Sequence, residues 1–237
     1  MRESASIDIR NNIASVRAQI DAAAKRAGRD PSEIKLVAVS KTKPIESIYE
    51  AYTAGLTAFG ENYAQELNAK MSSDKLYGLA DIEWHMIGHI QTNKIKMLIG
   101  KTALIHSLDS IRLAEEIQRQ AEKASLIIDV LIEINIADEP NKYGFSLDGA
   151  QKAIDSIAAL GCIKILGLMT SAPYTDDPES NRKYFRQLNE FFLDNRHKKT
   201  DNVHMYLLSM GMSGDFEVAI EEGSTMLRIG SRLFGSR

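Results

Sequence analysis

The chain of 237 residues holds one cysteine, Cys162. That scarcity excludes an intramolecular disulfide and a cysteine-based zinc cluster, and it suits a reducing compartment. No apolar run reaches the roughly 18 residues that a membrane-spanning helix needs. Arg2, Glu3, Asp8 and Arg10 occupy the N-terminus without an apolar stretch, so a secretory signal is not expected and a cytoplasmic location is. Neither sign of charge dominates: 29 Lys+Arg stand against 32 Asp+Glu, a formal net charge of −3. Such a balance offers phosphate backbones no long-range attraction, which argues against a general nucleic-acid binder and leaves room for a local anion site. Long linkers and low-complexity stretches are also missing, and the longest irregular region expected is Ala137 to Phe145. One domain over residues 1–237 follows.

What the chain does have is alternation. Ile9, Ile13, Val16 and Ile20 recur at helical spacing within 6–27, and the pattern stops at Gly28. Ile34, Leu36, Val37, Ala38 and Val39 then form a short apolar run ending in a polar loop, as a buried strand does. Pro44 suits the first turn of the next helix. Further strands are expected at 57–60, 82–87, 103–107, 127–134, 163–169, 203–208 and 226–230. Helices are expected between them at Ala64 to Lys75, Thr92 to Ile99, Ser110 to Lys123, Ser146 to Leu160, Glu179 to Asn195 and Gly214 to Glu221. Eight strand–helix repeats predict an α/β fold, a single (β/α)8 TIM barrel with an extra N-terminal helix. A doubly wound sheet would be expected to carry a glycine-rich turn after its first strand, and here that turn reads Ser40-Lys41-Thr42-Lys43-Pro44.

Barrel chemistry gathers at the C-terminal strand ends, with phosphates often held after strands 7 and 8. Lys41 follows the first strand, where partial burial would favour the neutral amine that attacks an aldehyde. A lysine snorkelling to solvent is the competing reading, and Lys43 is the competing residue. Ser209 to Asp215 supplies two glycines and two serines before a short helix, a composition for an anion cradle or an ordinary cap at Ser213. Gly230-Ser231 after strand 8 favours the cradle. Arg228 lies in an apolar strand and requires either a ligand or a structural ion pair. His85 and His89 lack the glutamate of a zinc-protease motif, so hydrogen-bonded histidines are expected and no metal site. Cys162, at the start of strand 6, reads as packed. The run Arg196-His197-Lys198-Lys199 reads as the solvated end of a helix.

Several blocks together carry a resemblance. They are Ala38-Val39-Ser40-Lys41-Thr42-Lys43-Pro44, Gly60-Glu61-Asn62-Tyr63, Trp84 to Lys94, Ser209-Met210-Gly211-Met212-Ser213 and Arg228 to Gly235. In this order and spacing the chain resembles the pyridoxal phosphate homeostasis proteins over nearly its whole length. The resemblance implies a barrel like the N-terminal domain of alanine racemases, with pyridoxal 5′-phosphate (PLP) as a Schiff base on Lys41. It implies Asn62 beside the cofactor, Ser209, Ser213, Gly230 and Ser231 at the phosphate, Met210 and Gly211 shaping that loop, and Arg228 at the pyridine nitrogen. It further implies a non-catalytic role in intracellular PLP homeostasis, with PLP-dependent apoenzymes as recipients.

A racemase-like PLP enzyme acting on amino acids is the alternative. Racemisation needs acid/base groups on both cofactor faces, and the second, β-rich domain that supplies one of them in racemases is not expected in this chain. An arginine at the ring nitrogen weakens the ring as an electron sink. A monomer is expected. A Schiff-base aldolase acting on a phosphorylated sugar is what the barrel and its phosphate turns alone would allow.

Overall fold

The computed structural model describes residues 8–197 and 201–235. Arg2 and Glu3 of the N-terminal reading, positions 6 and 7 of the first helix, and Lys198-Lys199 of the basic run lie outside them. Eight parallel strands close in sequence order: β1 (Lys35–Val39), β2 (Ala58–Glu61), β3 (Glu83–Met86), β4 (Leu104–Leu108), β5 (Ile128–Glu133), β6 (Ile163–Met169), β7 (Val203–Ser209) and β8 (Met226–Ile229). β8 pairs back onto β1, with Val37 opposite Arg228. The expected barrel is therefore present, each strand within two residues of its sequence-derived bounds.

The helices are α1 (Ile9–Arg26), α2 (Ile45–Thr53), α3 (Ala64–Met71), α4 (Ile111–Ala124), α5 (Leu147–Ala158), α6 (Arg182–Asn195), α7 (Phe216–Glu221) and α8 (Ser231–Phe234). The extra helix α1 buries Ile9, Ile13, Val16 and Ile20, and the Asp8 carboxylate caps it by accepting the Asn11 N–H at 3.0 Å. It packs on α2, α7 and α8, across the seam where the last repeat meets the first. Four helix expectations change. The stretch expected as one helix from Glu179 opens as a 3-10 turn, Pro178–Asn181, and α6 starts at Arg182. The connection after β3 is a 3-10 turn, Thr92–Met97, rather than an α-helix. α3 stops at Met71, since Ser72 and Ser73 favour backbone turns over continuing the helix. Pro44 is the cap of α2 and not its first turn.

Strand alternation divides the apolar residues into two cores. Outward-facing Phe59, Trp84, Ile105, Ile132, Ile165 and Leu227 pack with the helices. Inside the barrel a smaller cluster of Val37, Ala58, Leu104, Leu131, Leu166, Met169 and Met226 fills the middle. Burial of one such side chain contributes about 1.5–3 kcal/mol, so the middle of the barrel is a plug and the open space lies at its mouth.

Candidate cofactor site

At the C-terminal strand ends a cavity of about 600 Å³ opens. Lys41, Asn62, Ser213, Arg228, Gly230 and Ser231 all line it, so the structure brings together six of the nine residues singled out in the sequence. Val39, Ile87, Pro173 and Met212 give it apolar walls, and Lys43 and Arg232 add further positive charge.

Lys41 sits at the corner of a tight turn closed by the Lys43 N–H donating to the Ser40 carbonyl at 3.0 Å. The next residue, Thr42, has φ of 63°, an unfavourable region for a β-branched side chain. An ionic clamp beneath the turn over-determines this conformation. Lys70 is buried and its Nζ donates to the Ser40 carbonyl, Glu61 Oε1 and Glu66 Oε1, each at 2.7 Å. Ser40 Oγ donates to Glu61 Oε1 at 2.6 Å, and the Thr42 N–H donates to Glu66 Oε1 at 2.5 Å. Burial pushes the Glu61 carboxyl above the usual range, against the pull of Lys70 and Ser40. Glycine is required nearby for a steric reason: a Cβ on Gly88 would lie 2.6 Å from the Asn62 carbonyl oxygen. The β3 turn thus presses directly on the loop that presents Asn62.

Lys43, the competing lysine, donates from Nζ to the carbonyls of Phe234 at 2.9 Å and Gly235 at 3.0 Å, tying it to the end of α8.

Arg228 lines the cavity while almost fully buried. Its guanidinium donates to Ser209 Oγ at 2.7 Å, to the Thr170 carbonyl at 2.7 Å and to Ser171 Oγ at 3.2 Å, all neutral acceptors. Of the two sequence readings, the ion pair is not what these contacts form. Burial lowers the group to about 10, which leaves it charged at neutral pH. Glu133 at the end of β5 is pushed up to about 7, first by burial and then by the Asp109 carboxylate, with Arg228 opposing both.

The turns after β7 and β8 are tied together, because Ser213 Oγ accepts the Gly230 N–H at 3.2 Å. Ser213 therefore does not cap α7; the cap position is Asp215, whose carboxylate accepts from the Met212 N–H at 2.7 Å and from Asn181 at 2.9 Å. Ser209, Met210 and Gly211 do not line the cavity. Ser209 and Met210 are buried, and the Met210 carbonyl accepts from Ser224 Oγ at 2.8 Å. Gly211 has φ of 91°, and a Cβ there would meet the Ala219 Cβ at 2.6 Å. These three hold the loop from behind. Elsewhere, His85 and His89 do not converge: His85 bonds His106, and His89 bonds Asp109 at 2.5 Å while stacking on Tyr143. Cys162 is half-buried against the outer core. The sequence reading missed Lys70, Glu66, His106 and Glu133.

The donor set suits a small planar aldehyde carrying a phosphate. It supplies a lysine for the carbonyl, hydroxyls and cations for the phosphate, an arginine for a ring acceptor, and apolar walls for ring faces. The barrel and this site define an α/β barrel of the alanine racemase N-terminal domain type, and the sequence matches that domain family over residues 11–237. Within it, the chain belongs to the pyridoxal phosphate homeostasis protein family. It is 48% identical over 219 residues to the pyridoxal phosphate homeostasis protein of Aquifex aeolicus, covering 92% of this chain and 94% of that one. With the protein of the same name from Escherichia coli K12 it shares 40% over 230 residues, 97% of each chain. The solved structure of PipY from Synechococcus elongatus PCC7942 with PLP bound superposes with a TM-score of 0.83 at 32% identity, covering 96% of this chain and all of that one.

Proposed function

We propose that this chain binds PLP in the strand-end cavity as a Schiff base on Lys41 and serves intracellular PLP homeostasis without robust turnover. The observation that carries the reading is the meeting of Lys41, Arg228 and the joined Ser213–Gly230 turns in one cavity. The names of the relatives and the PLP in PipY support it. PLP supplies an electrophilic aldehyde when bound. The protein's part is to present the Lys41 amine from a fixed turn, to place Ser213, Gly230 and Ser231 at the phosphate, and to set Asn62 beside the ring. Arg228 stays a donor at neutral pH, so it favours an unprotonated ring nitrogen and holds the ring in a state poor at stabilising carbanions. A cytoplasmic monomer that passes PLP to apoenzymes completes the reading.

The test is an absorbance titration with PLP on the full chain and on Lys41→Ala, followed by borohydride reduction and peptide mass spectrometry. A band lost in the variant and an adduct on Lys41 are expected. An adduct on Lys43 instead overturns the assignment, and Cα deuterium exchange into amino acids at a useful rate overturns the non-catalytic part.

A further inference from the structure

Behind Arg228 the barrel interior holds polar side chains that the cavity itself does not use. Ser209 Oγ, which accepts from Arg228, lies 3.0 Å from His106 Nδ1. His106 Nε2 lies 2.9 Å from His85 Nδ1, the two rings meeting edge to face. His85 Nε2 in turn faces Glu83 Oε2 at 3.5 Å, and Glu83 pairs with Lys35 at the strand starts. β4 is not a neighbour of β7, nor β1 of β3, so these contacts cross the inside of the barrel. His85, His106 and Ser209 are all buried.

Donor and acceptor counting gives this row a direction. Arginine only donates, so Ser209 Oγ must accept from it. The Glu83 carboxylate repels a lone pair and attracts an N–H on the nitrogen that faces it, so His85 Nε2 carries the proton. A neutral His85 then accepts at Nδ1, which makes His106 Nε2 a donor and His106 Nδ1 an acceptor for the Ser209 hydroxyl. In that assignment each hydrogen bond from His85 Nδ1 through His106 and Ser209 to Arg228 has one donor and one acceptor, while His85 Nε2 faces the Glu83 carboxylate at 3.5 Å without forming a hydrogen bond. The reverse assignment would set a bare His85 nitrogen against a carboxylate. Burial is the main cause that holds both imidazoles below their ordinary pKa, so both are neutral and the counting applies.

We infer that His106, backed by His85, is a positioning residue of the PLP site, holding Arg228 against the cofactor ring through Ser209. The inference rests on the PLP reading above. With the Ser209 hydroxyl hydrogen given to His106, the serine lone pairs are left for Arg228, and the long guanidinium side chain is fixed before ligand arrives. Such preorganisation reduces the ordering cost of binding. Loss of His106 frees the serine rotor, and Arg228 keeps only its Thr170 and Ser171 contacts at the cavity wall.

The test is a double-mutant cycle read by PLP affinity and by the absorbance maximum of bound PLP, using His106→Phe and Arg228→Gln in the full chain. If His106 acts through Arg228, H106F weakens PLP binding about tenfold in the Arg228 background and less than about twofold with R228Q. H106N, whose amide oxygen can replace Nδ1 as the acceptor, should recover part of the affinity and restore the absorbance maximum. Equal losses in both backgrounds make His106 a packing residue and overturn the inference while the PLP reading stands. Wild-type protein without a Lys41 adduct overturns both. Should H106F fail to fold, nitrogen-15 NMR of the wild-type imidazoles decides. Both histidines are expected as Nε2–H tautomers whose signals move when PLP saturates the site, and unmoved signals overturn the inference.

Discussion

At the Lys41 end of the cavity the support is ionic, with buried Lys70 bridging Glu61 and Glu66 beneath the turn. At the Arg228 end it is neutral: a serine, a carbonyl and two uncharged histidines. The charge of the supported group explains the difference. On the proposed PLP reading Arg228 offers its guanidinium to the ligand, and a carboxylate bound to it would compete for that charge, so neutral acceptors suit it. The Lys41 turn instead has to be held in an unfavourable backbone shape, and carboxylates accepting from a backbone N–H and a buried ammonium group supply charge-assisted bonds for that purpose. The two ends should therefore respond differently to the loss of a single partner.

The largest effect is expected from Lys70→Met. It leaves Glu61, fully buried, without its cation, and breaking a buried pair from one side costs about 3–5 kcal/mol. Urea unfolding should show that loss, and the Lys41 adduct should weaken with it. Removing both partners in Lys70→Met/Glu61→Leu should recover much of the stability. A loss below about 1 kcal/mol for the single variant would mean that the clamp is not ionic in effect.

The same contrast explains what was legible in the sequence. Strand bounds were readable because apolar runs and polar loop ends alternate along the whole chain, and the α1 face was readable from Ile9, Ile13, Val16 and Ile20. Lys41 and Arg228 stood out as charges at or within apolar strands. His106 and Glu133 carry that same signal, as polar residues in the runs Leu104–Leu108 and Ile128–Glu133, and the rule that found Arg228 would have found them. Lys70 carries no such signal. It lies on α3 between Asn68 and Ser72, where a lysine reads as solvated, and only the barrel's closure brings Ser40 over it. The 3-10 turn at Thr92–Met97 was also hidden, since the pattern of its residues fits an α-helix equally well.

A smaller effect separates the ends by pH. Glu133, whose charge Arg228 favours, is pushed up to about 7 by burial and the Asp109 carboxylate, against an ordinary value of 4.5. The folded state then binds more protons than the unfolded state between these values, so this group's contribution to stability is complete below about pH 4.5 and is lost as pH rises through 7. Glu133→Gln removes that dependence. Relative to wild type, the variant should gain about 1–3 kcal/mol between pH 4.5 and 8 in urea unfolding. His85 and His106 contribute with the opposite sign, since their depressed values add stability above their unfolded pKa and lose it in acid, but they are common to both proteins and cancel in the difference. A flat difference would show that Glu133 keeps an ordinary pKa and that the Arg228 end holds no switchable charge.

The smallest effect tests the strain on the other side. Thr42 in its left-handed conformation costs roughly 1–2 kcal/mol. Glycine relieves that strain but adds about 0.5–1 kcal/mol of unfolded-state entropy, so the two terms nearly cancel. Thr42→Gly should unfold within about 1 kcal/mol of wild type. Its PLP affinity should nonetheless fall severalfold, because the corner carrying Lys41 loses its single conformation while the Glu66 acceptor remains. The dissociation of that pair of readouts is the point: stability unchanged with affinity reduced locates the strain in presentation of Lys41. Destabilisation beyond about 1 kcal/mol would instead mean that the threonine side chain packs favourably there and that the turn is held by contacts rather than by the clamp.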